Sequence, residues 1–181
     1  GRPLDALAST GEAVRIRRAR LGPSPGLAWA INAHANALRE LQRPREAAPL
    51  ADEAYAMAVK TMAPDDPTIV SFVLGNAALY EDLGDLDKAR ALNSEVIAIG
   101  ARTGAENINV PIAYFNRAEL ARKAGHCADA LDDYAQARDR FTAYRGADDP
   151  YNIFALRGLG QCLALLHRPA EAIAPLERAV A

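Results

Sequence analysis

The strongest constraint on this chain is a local pattern that returns five times. A short turn, then a polar residue, then an alanine reads Gly1-Arg2-Pro3-Leu4-Asp5-Ala6 and Gln42-Arg43-Pro44-Arg45-Glu46-Ala47. It returns as Gly84-Asp85-Leu86-Asp87-Lys88-Ala89, Gly125-His126-Cys127-Ala128-Asp129-Ala130 and His167-Arg168-Pro169-Ala170-Glu171-Ala172. The closing alanines are spaced 41, 42, 41 and 42 residues apart. With 40 alanines in 181 residues, chance can supply the alanines but not the turn at the same offset each time. Two further columns hold the register: Ala35, Ala77, Ala118 and Gly160 precede the repeated alanine, and Ala13, Ala54, Val96, Ala137 and Ala179 follow it. Small residues recurring in this way mark helix crossings, where backbones approach to about 8–10 Å. Enlarging such a site costs about 1–3 kcal/mol.

Between the columns the apolar period is helical. Leu156, Leu159, Gly160 and Leu163 fall at i, i+3, i+4 and i+7, and Ala172, Ile173, Leu176, Ala179 and Val180 form the matching stripe. Each unit therefore reads as two antiparallel helices joined by a tight turn. Pro44 and Pro169 lie in a first helical turn, where the missing N–H costs nothing. Gly22-Pro23-Ser24-Pro25, Pro64-Asp65-Asp66-Pro67 and Gly146-Ala147-Asp148-Asp149-Pro150 end one helix and offer Ser or Asp to cap the next. The segment 103–111 lacks Asp-Asp-Pro and is expected to be the least regular. The expected fold is all-α: a right-handed superhelical solenoid of antiparallel helix pairs, about nine helices in one array. Residues 1–21 supply the second helix of a truncated repeat, and 26–63, 67–103, 109–145 and 150–181 supply four hairpins. First helices are expected near 26, 67, 109 and 150, and second helices near 44, 86, 127 and 169. With no polar capping element at either end, the array reads as a piece of a larger protein.

Composition removes other classes. The 21 basic and 23 acidic residues give a net charge of -2, without the basic excess that nucleic-acid binding requires. Arg15, Arg17, Arg18 and Arg20 read as one solvated helix face. The longest apolar stretch, 67–80, contains Asn76 and falls short of a membrane span of roughly 20 residues. Nothing near Gly1 has the form of a signal peptide, so the expectation is a cytoplasmic segment with no membrane insertion. Eighteen arginines against three lysines point to a GC-rich bacterial genome.

These residues resemble the tetratricopeptide repeat. Its small residue in the first helix, turn glycine and second-helix alanines are carried by Ala77, Tyr80, Gly84 and Ala89, and by Gly160, Ala172 and Ala179. The period exceeds the usual 34 and is similar to the variant found in kinesin light chains and many bacterial regulatory proteins. The last unit, with Arg168-Pro169-Ala170-Glu171-Ala172, is similar to repeat regions of bacterial serine/threonine protein kinases. Gln42 and His167 stand where the family has glycine, and Asn93 where it has a large apolar residue. The first-helix asparagine ladder of the kinesin type survives at Asn32 and Asn116.

The resemblance implies a concave groove that holds a protein or peptide segment. First-helix positions off the packing stripe are Trp29, Asn32, Asn36 and Arg39; then Ser71, Leu74, Ala78 and Glu81; then Ile112, Phe115, Glu119 and Arg122; then Phe154, Arg157 and Gln161. Trp29, Phe115 and Phe154 are the candidate anchors, since buried aromatics dominate binding energy. Lys60, Lys88 and Lys123 do not occupy the family's carboxylate-clamp positions. No nucleotide, zinc-protease or serine-hydrolase motif is present. His126 and Cys127 read as a surface turn, Asp132 and Asp133 as a solvated face, and Asp148 and Asp149 as an N-cap. No cofactor or metal is expected. The reading is a non-catalytic binding scaffold. Its alternatives are a regulatory segment of a bacterial serine/threonine kinase, and self-association through exposed array ends at Leu4, Ile173 and Leu176.

Overall fold

The computed structural model describes residues 3–20, 22–64, 66–104 and 107–180. Among these there are nine helices and no strand. They are α1 (Pro3–Arg20), α2 (Pro25–Glu40), α3 (Pro44–Thr61), α4 (Ile69–Asp82), α5 (Leu86–Thr103), α6 (Asn109–Lys123), α7 (Cys127–Arg145), α8 (Pro150–Leu165) and α9 (Pro169–Arg178). Every second helix begins where the repeat predicts. Among first helices, α4 begins two residues late. There the Asp66 carboxylate accepts from the Thr68 amide at 2.9 Å and from its hydroxyl at 2.6 Å, so the chain turns once more before the helix starts. At the matching break Asp149 caps α8 directly, accepting from the Tyr151 amide at 2.9 Å with Pro150 in the first turn. Ser24 caps α2 through the Leu27 amide. Residues 1, 2, 21, 65, 105, 106 and 181 lie outside the described set, and with them the opening Gly1-Arg2 and the middle of the third break.

Within all four hairpins the turn is built in one way. The amides of Gln42, Gly84, Gly125 and His167 donate to the carbonyls of Arg39, Glu81, Arg122 and Ala164 at 2.9–3.1 Å. The following amides of Arg43, Asp85, His126 and Arg168 reach back to Leu38, Tyr80, Ala121 and Leu163 at 2.9–3.0 Å. This doubled closure needs a left-handed residue at its centre. Gly84 and Gly125 supply φ of 80° and 81°, whereas Gln42 and His167 are forced to 59° and 57°. The turn is thus set by the helices it joins, and glycine at its centre only makes it cheaper.

Two compact units divide the chain at Leu92 and Asn93, inside α5. In the first, α1 packs on α2, α2 on α3 and α3 on α4; α2 also touches α4. In the second, α6 packs on α7, α7 on α8 and α8 on α9, with α6 also touching α8. The repeated small residues lie in these contacts: Ala47, Ala54, Ala89, Ala118, Ala130 and Ala137 have no exposed surface. At Gly160 a Cβ would lie 2.5 Å from Leu176 Cγ, so the α8–α9 crossing admits only glycine without repacking. Ala6 is the exception: it is exposed. Cores of the first unit are built around Ile31, Phe72 and Leu79, and those of the second around Tyr134, Phe141 and Cys162.

Candidate functional site

In the first unit the groove positions of α2 and α4 form one surface. Trp29 is 37% exposed and its ring centroid stands 4.3 Å from that of Phe72, tilted by 45°. Phe72 is fully buried, so the indole is seated on the core and still presents an open face. One turn on, Asn32 is buried and Asn36 half-buried. Their Oδ1 atoms lie 3.9 and 3.8 Å from where a Cβ on Gly75 would stand. Gly75 therefore leaves a gap between α2 and α4, walled by two carboxamides that have no hydrogen-bond partner among the described residues. Arg39 closes this surface with a 2.7 Å bond from Nε to Asp82 at the end of α4. Leu74 and Glu81 are half-buried beside it.

The second unit treats its groove positions differently. Glu119 and Arg122, three residues apart on α6, are engaged with each other: Arg122 donates to both carboxylate oxygens, at 3.1 and 2.7 Å. The Tyr134 hydroxyl donates a short hydrogen bond to the same carboxylate, and Arg122 Nε approaches that hydroxyl at 3.2 Å. Tyr134 reaches this place by lying across Gly158 of α8, where a Cβ would come 2.4 Å from the ring. Burial pushes the Glu119 carboxyl up, but hydrogen bonds from Arg122 and Tyr134 outweigh it and hold the group below the usual carboxylate range. Burial and then Glu119 push the Tyr134 phenol up, and the hydrogen bond to Glu119 raises Arg122. These two groove charges thus neutralise each other.

The anchors expected in this unit separate as well. Phe115 packs edge-on to Tyr134, with centroids 6.2 Å apart, and touches both cores of the unit. That position makes it mainly a packing residue, since an aromatic wedged between two cores has little face left for a ligand. Phe154 is 43% exposed, with the Arg157 guanidinium 5.4 Å above its ring, and Gln161 is exposed beyond it.

Two polar clusters were not foreseen. Arg117 on α6 grips Asp133 on α7 with two bonds of 2.7 and 2.6 Å and donates to Ser94 on α5 at 3.0 Å. Asp133 is buried, which corrects the expectation of a solvated Asp132-Asp133 face; Asp132 alone is exposed. The signal was available: Arg117 occupies the packing column held elsewhere by His34, Asn76 and Leu159, and a charge there requires a counter-charge. In the first unit the Tyr80 hydroxyl donates to Asp52 at 2.6 Å, while Lys88 sits 3.7 Å over the Tyr80 ring and 3.5 Å from Asp52. Cys127 and Cys162 share one core, and burial, with Cys127 adding, pushes the Cys162 thiol up to about 12, where it is unreactive.

Tetratricopeptide repeat models match residues 32–103, 70–143 and 109–181. This chain belongs to the tetratricopeptide repeat family. The family fold is a helical solenoid, typically non-catalytic, that serves as a protein-interaction scaffold. No curated protein sequence matches the chain. Among solved structures it is similar to a kinesin-light-chain protein of nearly identical tetratricopeptide-like repeats from Podosopora anserina, with TM-score 0.81, 19% identity and coverage of 98% of this chain and 85% of the other. BtubC (BKLC) from P. vanneervenii gives 0.80 at 21% identity, covering 99% and 72%. A Rap protein in complex with Competence and Sporulation Factor gives 0.75 at 16% identity, covering 98% of this chain and 53% of that one. No helix among the described residues is long and apolar enough to cross a membrane.

Proposed function

We propose that this tetratricopeptide chain holds an extended segment of a partner protein on its first-helix faces, and that the surface of α2 and α4 supplies the main contacts. The reading rests on the two unpartnered carboxamides, Asn32 and Asn36, beside the side-chain-free Gly75. A carboxamide offers one acceptor and two donors, which matches the alternating C=O and N–H groups of an extended backbone. Asn36 is half-buried, so a peptide backbone that pairs with these groups replaces water and gains about 0.5–1.5 kcal/mol per hydrogen bond. Trp29, seated on Phe72, offers the aromatic anchor. Arg39 and Glu81 at the far end, with Leu74 between, favour a segment of mixed charge and one apolar side chain. In the second unit Phe154, Arg157 and Gln161 offer a smaller exposed face, while Phe115, Glu119 and Arg122 are engaged with Tyr134. The Rap neighbour, in complex with Competence and Sporulation Factor, supports a bound partner for this fold.

The test is selection of binding peptides from a displayed random library, followed by affinity measurement on variants. Asn32→Ala with Asn36→Ala removes two hydrogen-bonding side chains at about 0.5–1.5 kcal/mol each. Binding should fall by about 5- to 150-fold, with unchanged helical circular dichroism. Selected peptides that bind the double variant as well as the parent would overturn the assignment.

A further inference from the structure

A recess apart from these groove positions opens in the second unit between α5, α6 and α7. It encloses about 320 Å3. Gly100, Ala101 and Gly104 on the α5 side and Ala143 on α7 are small and leave the space open, while Ile97 and Tyr144 wall it. Gly100 also lets α5 and α6 meet, since a Cβ there would lie 2.4 Å from Val110 Cγ2. The α6 residues Val110 and Pro111 give the recess an apolar floor.

Its charge is not balanced among the described residues. Tyr114 lines the recess between two guanidinium groups, Arg117 at 5.6 Å and Arg140 at 5.2 Å from its ring centroid. Arg117 is neutralised by Asp133. Arg140 lines the recess and makes no ion pair with any described residue; neighbouring Asp139 is engaged by Arg138 at 2.7 Å. An apolar floor beneath one guanidinium that no described carboxylate pairs with, already held over an aromatic ring, is the chemistry that recognises a carboxylate on an apolar body.

We infer that this recess binds a small free organic monocarboxylate with an aromatic or branched apolar body. At about 30 Å3 per water-sized group, the volume admits a ligand of roughly ten non-hydrogen atoms. A partner helix is far too large to enter. The site shares no residue with the peptide surface proposed above, so either can fail without the other.

Amide NMR titration of the whole chain with phenylbutyrate tests this, with phenylbutyramide as neutral isostere and acetyl-Gly-Gly-Phe as peptide-borne carboxylate. Phenylbutyrate should shift the Gly100 and Gly104 amides and bind with a dissociation constant of about 1 mM or tighter. Phenylbutyramide should bind about 10-fold more weakly. Arg140→Gln should abolish that discrimination. Ala101→Trp, at an exposed rim position, should fill the recess and abolish the shifts while the remaining spectrum is retained. Equal binding of acid and amide, discrimination that survives Arg140→Gln, or no shift at Gly100 and Gly104 overturns the inference. Tighter binding of the tripeptide than of phenylbutyrate overturns the assignment to a free small molecule.

Discussion

Replacing Gln42 by glycine is expected to stabilise the first unit, although it removes a side chain. Gln42 and Gly84 occupy equivalent turns with the same pair of hydrogen bonds, at φ of 59° and 80°. A residue with a Cβ pays about 1–2 kcal/mol in the left-handed region. Glycine returns part of that through the greater freedom of its unfolded chain, about 0.5–1 kcal/mol. Gln42 is exposed, so its truncation forfeits no core contact. The net gain is therefore about 0.5–1 kcal/mol. Trp29, the single tryptophan, lies in the same unit against buried Phe72, so its fluorescence in urea reports this unit's unfolding. With a slope of about 1–3 kcal/mol per molar urea, the midpoint should rise by roughly 0.2–1 M. Gln42→Ala is the control: it removes the same side chain and keeps the Cβ. If Gln42→Gly unfolds at or below the midpoint of Gln42→Ala, backbone strain at this turn is refuted.

The buried pair of the second unit makes a different prediction. Arg117→Met leaves Asp133 buried without its counter-charge and should cost about 3 kcal/mol, whereas Arg117→Met with Asp133→Met should regain most of the loss; thermal melts in which the double variant is as unstable as the single would contradict this. Glu119 predicts a pH dependence. Its folded carboxyl lies below the unfolded value of about 4.3, so the stability it contributes is present above that pH and is lost as pH falls through the folded value. Glu119→Gln should therefore show a flatter fall in stability between about pH 5 and pH 3 than the parent, and parallel curves would remove Glu119 from the acid response.

Legibility in the sequence followed the length scale of each interaction. Ala47, Ala89, Ala130 and Ala172 were readable because a helix crossing excludes bulk at a fixed offset from the turn, a requirement that repeats with the backbone itself. Asp149 was readable because a cap is settled within three residues. The start of α4 was not, because the choice between Asp66 and Thr68 as the boundary depends on one side-chain bond. Glu119 and Arg122 were read as groove charges because spacing alone places them off the packing stripe. That they cancel each other beneath Tyr134 depends on Gly158, on another helix. The packing of Phe115 against Tyr134 was hidden for the same reason: its neighbours come from other helices.

The sequence by itself determined the all-α fold, the number of hairpins, their register and the small residues on which they cross, because these follow from periodicity and backbone geometry within one repeat. Only the tertiary structure decided which polar side chains stay available for a ligand. Asn32, Asn36 and Arg140 keep their hydrogen-bonding capacity while Glu119, Arg117 and Asp133 spend theirs internally, and that division depends on side chains arriving from helices many residues away.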